Sequence, residues 1–205
     1  MLQELFFELC FHYTQSQPLA EKLWKEIETC YTEQHRHYHT LAHLENLVAE
    51  LLPYKEKAGD WDILLFSVFY HDIIYNIPGS SNEEKSAELA AARLKQLGIP
   101  PERIALCREQ ILATKTHTEN TNFDTNLFTD ADLAILGKPE VQYDEYTIAI
   151  GKEYHIYPLF LYKNGRRSFL KHFLSMEHLY KTNEFREKYE AQARENLELE
   201  LVTLS

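Results

Sequence analysis

Residues 61–75 read WDILLFSVFYHDIIY, and this stretch indicates the fold class. Apart from Asp62 and Ser67, every residue before the pair His71–Asp72 is apolar or aromatic. A run that is apolar around its whole circumference is typical of a helix buried on all sides. We therefore expect residues 61–75 to form the central helix of a helical bundle.

The pair His71–Asp72 raises an electrostatic problem, because burying a carboxylate without a partner costs on the order of several kcal/mol. One solution is a simple buried hydrogen bond or ion pair. The other is a divalent cation, since imidazole nitrogen and carboxylate oxygen both bind such metals. A metal would need further ligands.

A second stretch, QHRHYHTLAHLENL at residues 34–47, is rich in histidine and offers such ligands. We predict a helix over residues 38–52, on which His39 and His43 are four positions apart and therefore share one face. His35 and His37 are expected to be loop or cap residues.

The rest of the chain shows helical periodicity, and no segment alternates with period two. We predict helices over residues 125–136, capped by Asp124, and 165–179, after an Asn164–Gly165 turn. A capping box at Ser81 opens another helix, which Gly98 ends. The expected fold is all-α, with about seven to nine helices around the central one. It is expected to be a single domain over residues 1–205, comprising N-terminal helices (1–33), a metal-binding core (34–136) and C-terminal helices (137–205).

Composition limits the classes of function. The net charge of -11 disfavours duplex nucleic acid, which requires clustered Lys and Arg, but permits a small anion beside a metal ion. The three cysteines form no CxxC pattern and are expected to be reduced thiols. Neither a signal peptide nor a membrane-spanning run is recognisable, so we expect a cytoplasmic protein without a membrane partner.

Taken in order, Tyr38–His39, His43, His71–Asp72 and the stretch DADLAIL at residues 130–136 resemble the HD superfamily of metal-dependent phosphohydrolases. The segments HDIIY, NEEKSA and AREN are similar to its uncharacterised bacterial branch. The resemblance covers roughly residues 30–200. It implies a helical bundle that binds a metal through the order His, His-Asp, Asp and hydrolyses phosphoesters.

Carried onto this chain, the resemblance implies metal ligation by His43, His71, Asp72 and Asp132. One tightly bound divalent ion is expected, either Mn, Fe, Zn, Co, Ni or Mg. The pattern YH-x-x-x-H also resembles the cyclic-nucleotide phosphodiesterases of the superfamily, in which the earlier histidine is the general acid. This implies catalytic roles for His39 and Asp72.

Helical periodicity favours Asp132 over Asp130 as the last ligand. Phe128 and Leu136 lie four positions either side of Asp132, so its face is mostly apolar and turned inward. Asp130 has a less apolar face, and we expect it to orient a ligand.

The expected substrate is a nucleotide or another small phosphorylated metabolite. Four residues are candidates for binding its anionic group: Arg36, Lys115, His117 and Arg166. Because His117 is the only histidine between the HD pair and Asp132, a second metal held entirely by the protein is not expected. Tyr143 and Tyr146 are expected to pack in the core rather than bind a base.

Two other classes of function stay open. Inositol oxygenases share the HD ligands around two irons, but the few histidines before Asp132 count against a di-iron site. The chain is alternatively a non-catalytic sensor or interaction module with a structural metal or none. The sequence is compatible with a homodimer but does not establish the oligomeric state.

Overall fold

The computed structural model describes residues 1–77 and 79–204, which form ten α-helices and no strand. The all-α expectation is confirmed, with ten α-helices rather than about seven to nine. The α-helices are α1 (Leu2–Phe11), α2 (Gln17–Tyr31), α3 (Leu41–Leu51), α4 (Trp61–Tyr70), α5 (Asn82–Gln96), α6 (Pro101–Ala113), α7 (Phe123–Asp132), α8 (Glu140–Glu153), α9 (Leu159–Leu174) and α10 (Asn183–Thr203). Short 3-10 helices cover Leu52–Lys57, Leu133–Gly137 and Tyr154–Ile156.

The chain divides into two compact units, Met1–Thr129 and Asp130–Ser205. The first contains α1 to α6 and most of α7, and the second contains the end of α7 and α8 to α10. That residues 1–205 form a single domain stays a prediction.

Helix α4 lies in the core of the first unit, where every residue from Ile63 to Tyr70 is buried. It ends at Tyr70 rather than at residue 75, because the backbone N–H groups that follow find side-chain partners. The N–H of Asp72 donates to the hydroxyl of Tyr31, and that of Ile74 donates to the hydroxyl of Ser86. His71 is the C-cap, and its N–H still donates to Ser67 O.

Two helices begin elsewhere than the sequence indicated. Helix α3 begins at Leu41, with Thr40 in extended conformation as its N-cap, so His39 precedes the helix instead of sharing a helical face with His43. Helix α7 begins at Phe123, and Asp124 does not cap it. The Asp124 carboxylate instead accepts hydrogen bonds from the backbone of residues 59 and 60, where the chain enters α4.

Both predicted ends of α5 are correct in position, since Ser81 is the N-cap and Gly98 follows the helix. The Ser81 side chain makes no capping hydrogen bond, so the predicted capping box is absent. Gly98 does follow the helix, with a positive φ of 78° that favours glycine.

In the second unit, α9 begins at Leu159, and Asn164 and Gly165 lie inside it rather than in a turn. Helix α10 packs on the 3-10 helix Leu133–Gly137, because the Asn196 amide donates to the carbonyl oxygens of Leu136 and Lys138 at 2.8 Å. Within residues 1–77 and 79–204, we find no helix with the length and apolarity needed to cross a membrane.

Candidate metal centre

Two buried imidazoles meet at the ends of different helices. The Nε2 atoms of His43 and His71 are 3.1 Å apart, and the two residues are 3% and 1% exposed. His43 lies in the first turn of α3, and His71 directly follows α4. The ring of Phe128 packs edge-on against His71, with centroids 5.6 Å apart.

A backbone contact determines which nitrogen of His71 is available. Its Nδ1 lies 2.9 Å from the carbonyl oxygen of Val68, which can only accept a hydrogen bond, so Nδ1 carries a proton. In a neutral imidazole Nε2 then has its lone pair exposed towards His43. Metal-binding histidines are commonly oriented by such a hydrogen bond from the other ring nitrogen.

A carboxylate completes a set of three possible ligands. One ligand atom each from His43, His71 and Asp132 lies within 4.8 Å of the other two. The two histidines are buried, whereas Asp132, the last residue of α7, is partly exposed. This group could hold a metal ion. Asp132 belongs to this group although Asp130 is the more buried of the two aspartates, and its role as a ligand stays a prediction.

Asp72 adjoins this group. Its Oδ2 atom is 3.0 Å from His71 Nε2 and 3.9 Å from His43 Nε2. With both imidazoles neutral and Nδ1 of His71 protonated, a lone pair on Nε2 would face a carboxylate oxygen, an unfavourable arrangement that needs a cation. The donor set therefore fits a divalent metal. A protonated His71 in an ion pair with Asp72 satisfies the same distances.

His39 reaches the same cluster from the bend before α3. Its Nε2 lies 3.8 Å from Asp72 Oδ2, and its side chain is 17% exposed. The ring of His39 packs on Tyr75 at 4.2 Å and edge-on against Tyr38 at 5.0 Å. His39 thus lies close to the HD pair, but it does not share a helical face with His43 as the sequence indicated.

Arg36 is buried, and its guanidinium binds backbone. It donates to the carbonyl oxygens of Asp72 at 2.6 Å, Ile73 at 2.9 Å and His39 at 3.3 Å. The rings of Tyr31 and Tyr75 flank it, with centroids 4.9 and 5.4 Å from the guanidinium carbon. These contacts indicate that Arg36 holds the loop, and its predicted contact with substrate stays a prediction.

Two other predicted anion-binding residues lie after α6. Lys115 forms ion pairs with Glu84 and, at 3.7 Å, with Glu83, and it donates to Ser80 O. The hydrogen bond to Glu84 raises the pKa of Lys115. His117 adopts a left-handed backbone conformation with φ of 50°. Their roles towards a substrate stay predictions.

Arg166, the fourth candidate, is a buried residue of the second unit. Its guanidinium pairs with Glu200 at 2.8 Å and donates to the hydroxyl of Tyr146. Tyr143 also donates to Glu200. These contacts indicate a role for Arg166 in packing, and the expectation that Tyr143 and Tyr146 pack in the core agrees with their burial.

Asp130 has a role that the sequence did not indicate. Its carboxylate accepts hydrogen bonds from the backbone N–H groups of Lys181 and Thr182 and from the Thr182 hydroxyl. Burial raises the pKa of Asp130 and lowers that of Lys181, whose ammonium lies 3.6 Å from the carboxylate. Asp130 therefore holds the chain before α10 in place. Nothing in the sequence indicates Lys181 or Thr182 as its partners.

No family model, curated protein or solved structure matches this chain. The geometry of the donor group and the order of the motifs are thus the basis for assigning a function.

Proposed function

We propose that this protein is a metal-dependent phosphohydrolase that cleaves a phosphoester of a nucleotide or another small phosphorylated metabolite. The observation that carries the proposal is the His71 ring, whose Nδ1–H is committed to Val68 O while Nε2 faces His43 and a carboxylate. That arrangement favours a metal ligand over a histidine that merely fills the core.

The exposure of the carboxylates favours a reactive site over a closed structural one. Structural zinc sites are closed by four ligands, whereas catalytic sites keep a position open. Here the two imidazoles are buried, but Asp132 is partly exposed and the Asp72 side chain is 18% exposed. This partial exposure is compatible with access of water to the carboxylates.

Each residue has a distinct part in the proposed reaction. His43, His71 and Asp132 would hold the cation, with Asp72 as the fourth predicted ligand. A divalent cation held by these residues would supply an activated water molecule and would neutralise charge on a phosphoryl oxygen. His39, when protonated, would donate its proton to the leaving alkoxide, and its ring is partly exposed.

The finer properties follow from the sequence rather than from the geometry. We propose one tightly bound ion, either Mn, Fe, Zn, Co, Ni or Mg, and a small phosphorylated substrate rather than duplex nucleic acid. A cytoplasmic location agrees with three cysteines that are all free.

The test is a metal analysis followed by a substrate screen. Protein purified without chelator is analysed for metal, and phosphate release is measured from aryl phosphates, nucleoside monophosphates and cyclic nucleotides with Mn, Co, Ni or Mg added. We expect bound metal and turnover in the wild type. The Asp72→Ala variant should lose nearly all activity. His39→Ala should lose about 10²–10⁴-fold in kcat while retaining its metal.

The control is His178→Ala, which removes an exposed imidazole outside the donor group and should change neither metal content nor activity. Bound metal without turnover on any substrate would favour the alternative, a non-catalytic metal-binding sensor. Wild-type protein that binds none of these metals would rule out the proposal.

A further inference from the structure

Exposed apolar side chains are concentrated in one part of the second unit. In the described residues, fourteen large apolar side chains are exposed, and half of them lie within residues 141–161. These seven are Val141, Ile148, Ile156, Tyr157, Leu159, Phe160 and Leu161. Exposed apolar side chains that form a patch are typical of an interaction site.

Helix α8 carries two of these side chains, Val141 and Ile148, and has apolar residues on two faces. One face is buried in the second unit and consists of Tyr143, Tyr146, Ile150 and Glu153. The opposite face is exposed and follows helical spacing into the next 3-10 helix. We call it the α8 stripe, and it consists of Val141, Glu145, Ile148, Lys152 and Ile156.

We propose that the α8 stripe is the surface on which a second copy of this chain packs, with the two α8 helices antiparallel about a twofold axis near Ile148. A twofold contact brings the same patch of both copies together, so the patch must complement itself. Antiparallel pairing places Val141 opposite Ile156 of the second copy, and Ile148 opposite its counterpart.

The charges of the α8 stripe favour a second copy of this chain as the partner. In the same pairing Glu145 lies opposite Lys152 of the second copy, and the twofold axis produces this ion pair twice. A parallel pairing would set like charges against each other. Among residues 1–77 and 79–204, neither Glu145 nor Lys152 has an ion-pair partner in its own chain. Seven positions apart, they lie about 10 Å from each other along the helix and cannot pair within it.

The proposal is independent of the proposed reaction and is tested by the oligomeric state of the full chain. Sedimentation velocity is measured over protein concentrations from roughly 1 to 500 µM, a range that covers weak and moderate dimers. We expect the wild type to dimerise. Ile148→Glu should weaken the dimer at least about tenfold, because it places two carboxylates at the twofold axis.

The matched control is Leu52→Glu. Leu52 is 57% exposed and Ile148 is 59% exposed, so both variants place a carboxylate at a similarly exposed site, but Leu52 lies outside the stripe. Leu52→Glu should dimerise like the wild type, and circular dichroism verifies that both variants are folded.

A charge exchange tests the pairing itself. Glu145→Lys and Lys152→Glu should each weaken the dimer, because each replaces two ion pairs by like-charge contacts. The double variant restores opposite charges in both pairs and should recover most of the affinity. The affinity of the dimer would not recover if Glu145 and Lys152 acted only within their own helix.

Three outcomes would overturn the proposal. The first is a wild type that stays monomeric over the whole concentration range. This holds even if the monomer binds anionic vesicles. The second is a dimer that Ile148→Glu does not weaken. The third is a double charge variant that is no better than the single ones.

Discussion

The Arg36 guanidinium donates a 2.6 Å hydrogen bond to the carbonyl oxygen of Asp72. The same group also reaches the carbonyl oxygen of His39. Arg36 thus connects the bend that carries His39 to the turn that carries Asp72, through main-chain atoms that any side chain at those positions would share. The relative position of the two candidate catalytic residues depends on a third residue, which need not touch a substrate.

We expect Arg36→Ala to lower the free energy of unfolding by about 2–4 kcal/mol, because buried carbonyl oxygens lose charged donors. Arg36→Lys should lie between this variant and the wild type, since a lysine cannot reproduce the planar fork of donors. Urea unfolding measures both. Arg108→Ala, on an exposed part of α6, is the control and should change stability by less than about 0.5 kcal/mol. Equal stabilities of Arg36→Ala and the control would contradict the assigned role.

The neighbouring aspartates of α7 should respond differently to the same isosteric change. Asp132→Asn changes a carboxylate at a partly exposed site, so metal-free Asp132→Asn protein should lose less stability than Asp130→Asn. Asp130→Asn replaces a buried carboxylate that accepts three hydrogen bonds by an amide, and should cost about 2–4 kcal/mol. Urea unfolding after chelation separates the two.

Added metal should stabilise the wild type and not Asp132→Asn. A ligand at about 100 times its Kd stabilises the folded state by about 2.7 kcal/mol, which thermal unfolding detects as a rise in Tm. EDTA should reverse the rise. An equal rise in the Asp132→Asn protein would show that the metal binds without this carboxylate.

Two buried thiols should make the protein less stable in alkali. Burial raises the pKa of Cys10 and of Cys107 to about 12, and both residues are fully buried. The unfolded chain releases these protons near about pH 8.5, so it binds fewer protons than the folded chain between there and about pH 12. The free energy of unfolding should therefore fall as the pH rises through that range.

Urea unfolding at about pH 8 and about pH 10 measures this slope. Cys107→Ala should reduce the slope, although it also lowers stability at both pH values by leaving a cavity. A slope that is unchanged in this variant would show that the Cys107 thiol does not contribute to it.

Two glycines should respond in opposite directions to alanine. A Cβ at Gly137 would lie 2.6 Å from the Cβ and 2.7 Å from the carbonyl oxygen of Tyr189, so Gly137→Ala should destabilise by about 1–3 kcal/mol. A Cβ at Gly165, inside α9, would meet nothing within 4 Å. Gly165→Ala should stabilise by about 0.5–1 kcal/mol, because alanine loses less backbone freedom in a helix. Thermal unfolding of both variants provides the measurement.

The spacing of apolar residues in the sequence predicted structural features that depend on residues close together in the chain. The apolar run around Phe66 indicated a buried helix, and the apolar neighbours of Asp132 indicated an inward-facing carboxylate. The buried helix agrees with the structure, since burial of a helical face is encoded at spacings of three and four residues. The second indication does not, because Asp132 is partly exposed and Asp130 is the fully buried aspartate of α7.

Contacts between distant residues were not predictable in this way. Whether α4 continues past Tyr70 depends on the hydroxyl groups of Tyr31 and Ser86, which are far away in the sequence. Arg36 looked like a possible anion-binding residue because an exposed arginine and a buried one look the same in sequence. The exposure of this face of α8 was equally unpredictable from the sequence, since its apolar residues are as compatible with a core as with a surface.

The hydrogen bond from Gly59 N to the Asp124 carboxylate joins residues 65 positions apart. Closing so long a loop is entropically costly, so this contact should form late, after the local pairing of neighbouring helices. Contacts that form after the rate-limiting step control how long the native state persists rather than how quickly it is reached. We therefore expect loss of the Asp124 carboxylate to shorten the lifetime of the folded chain while leaving its rate of folding nearly unchanged.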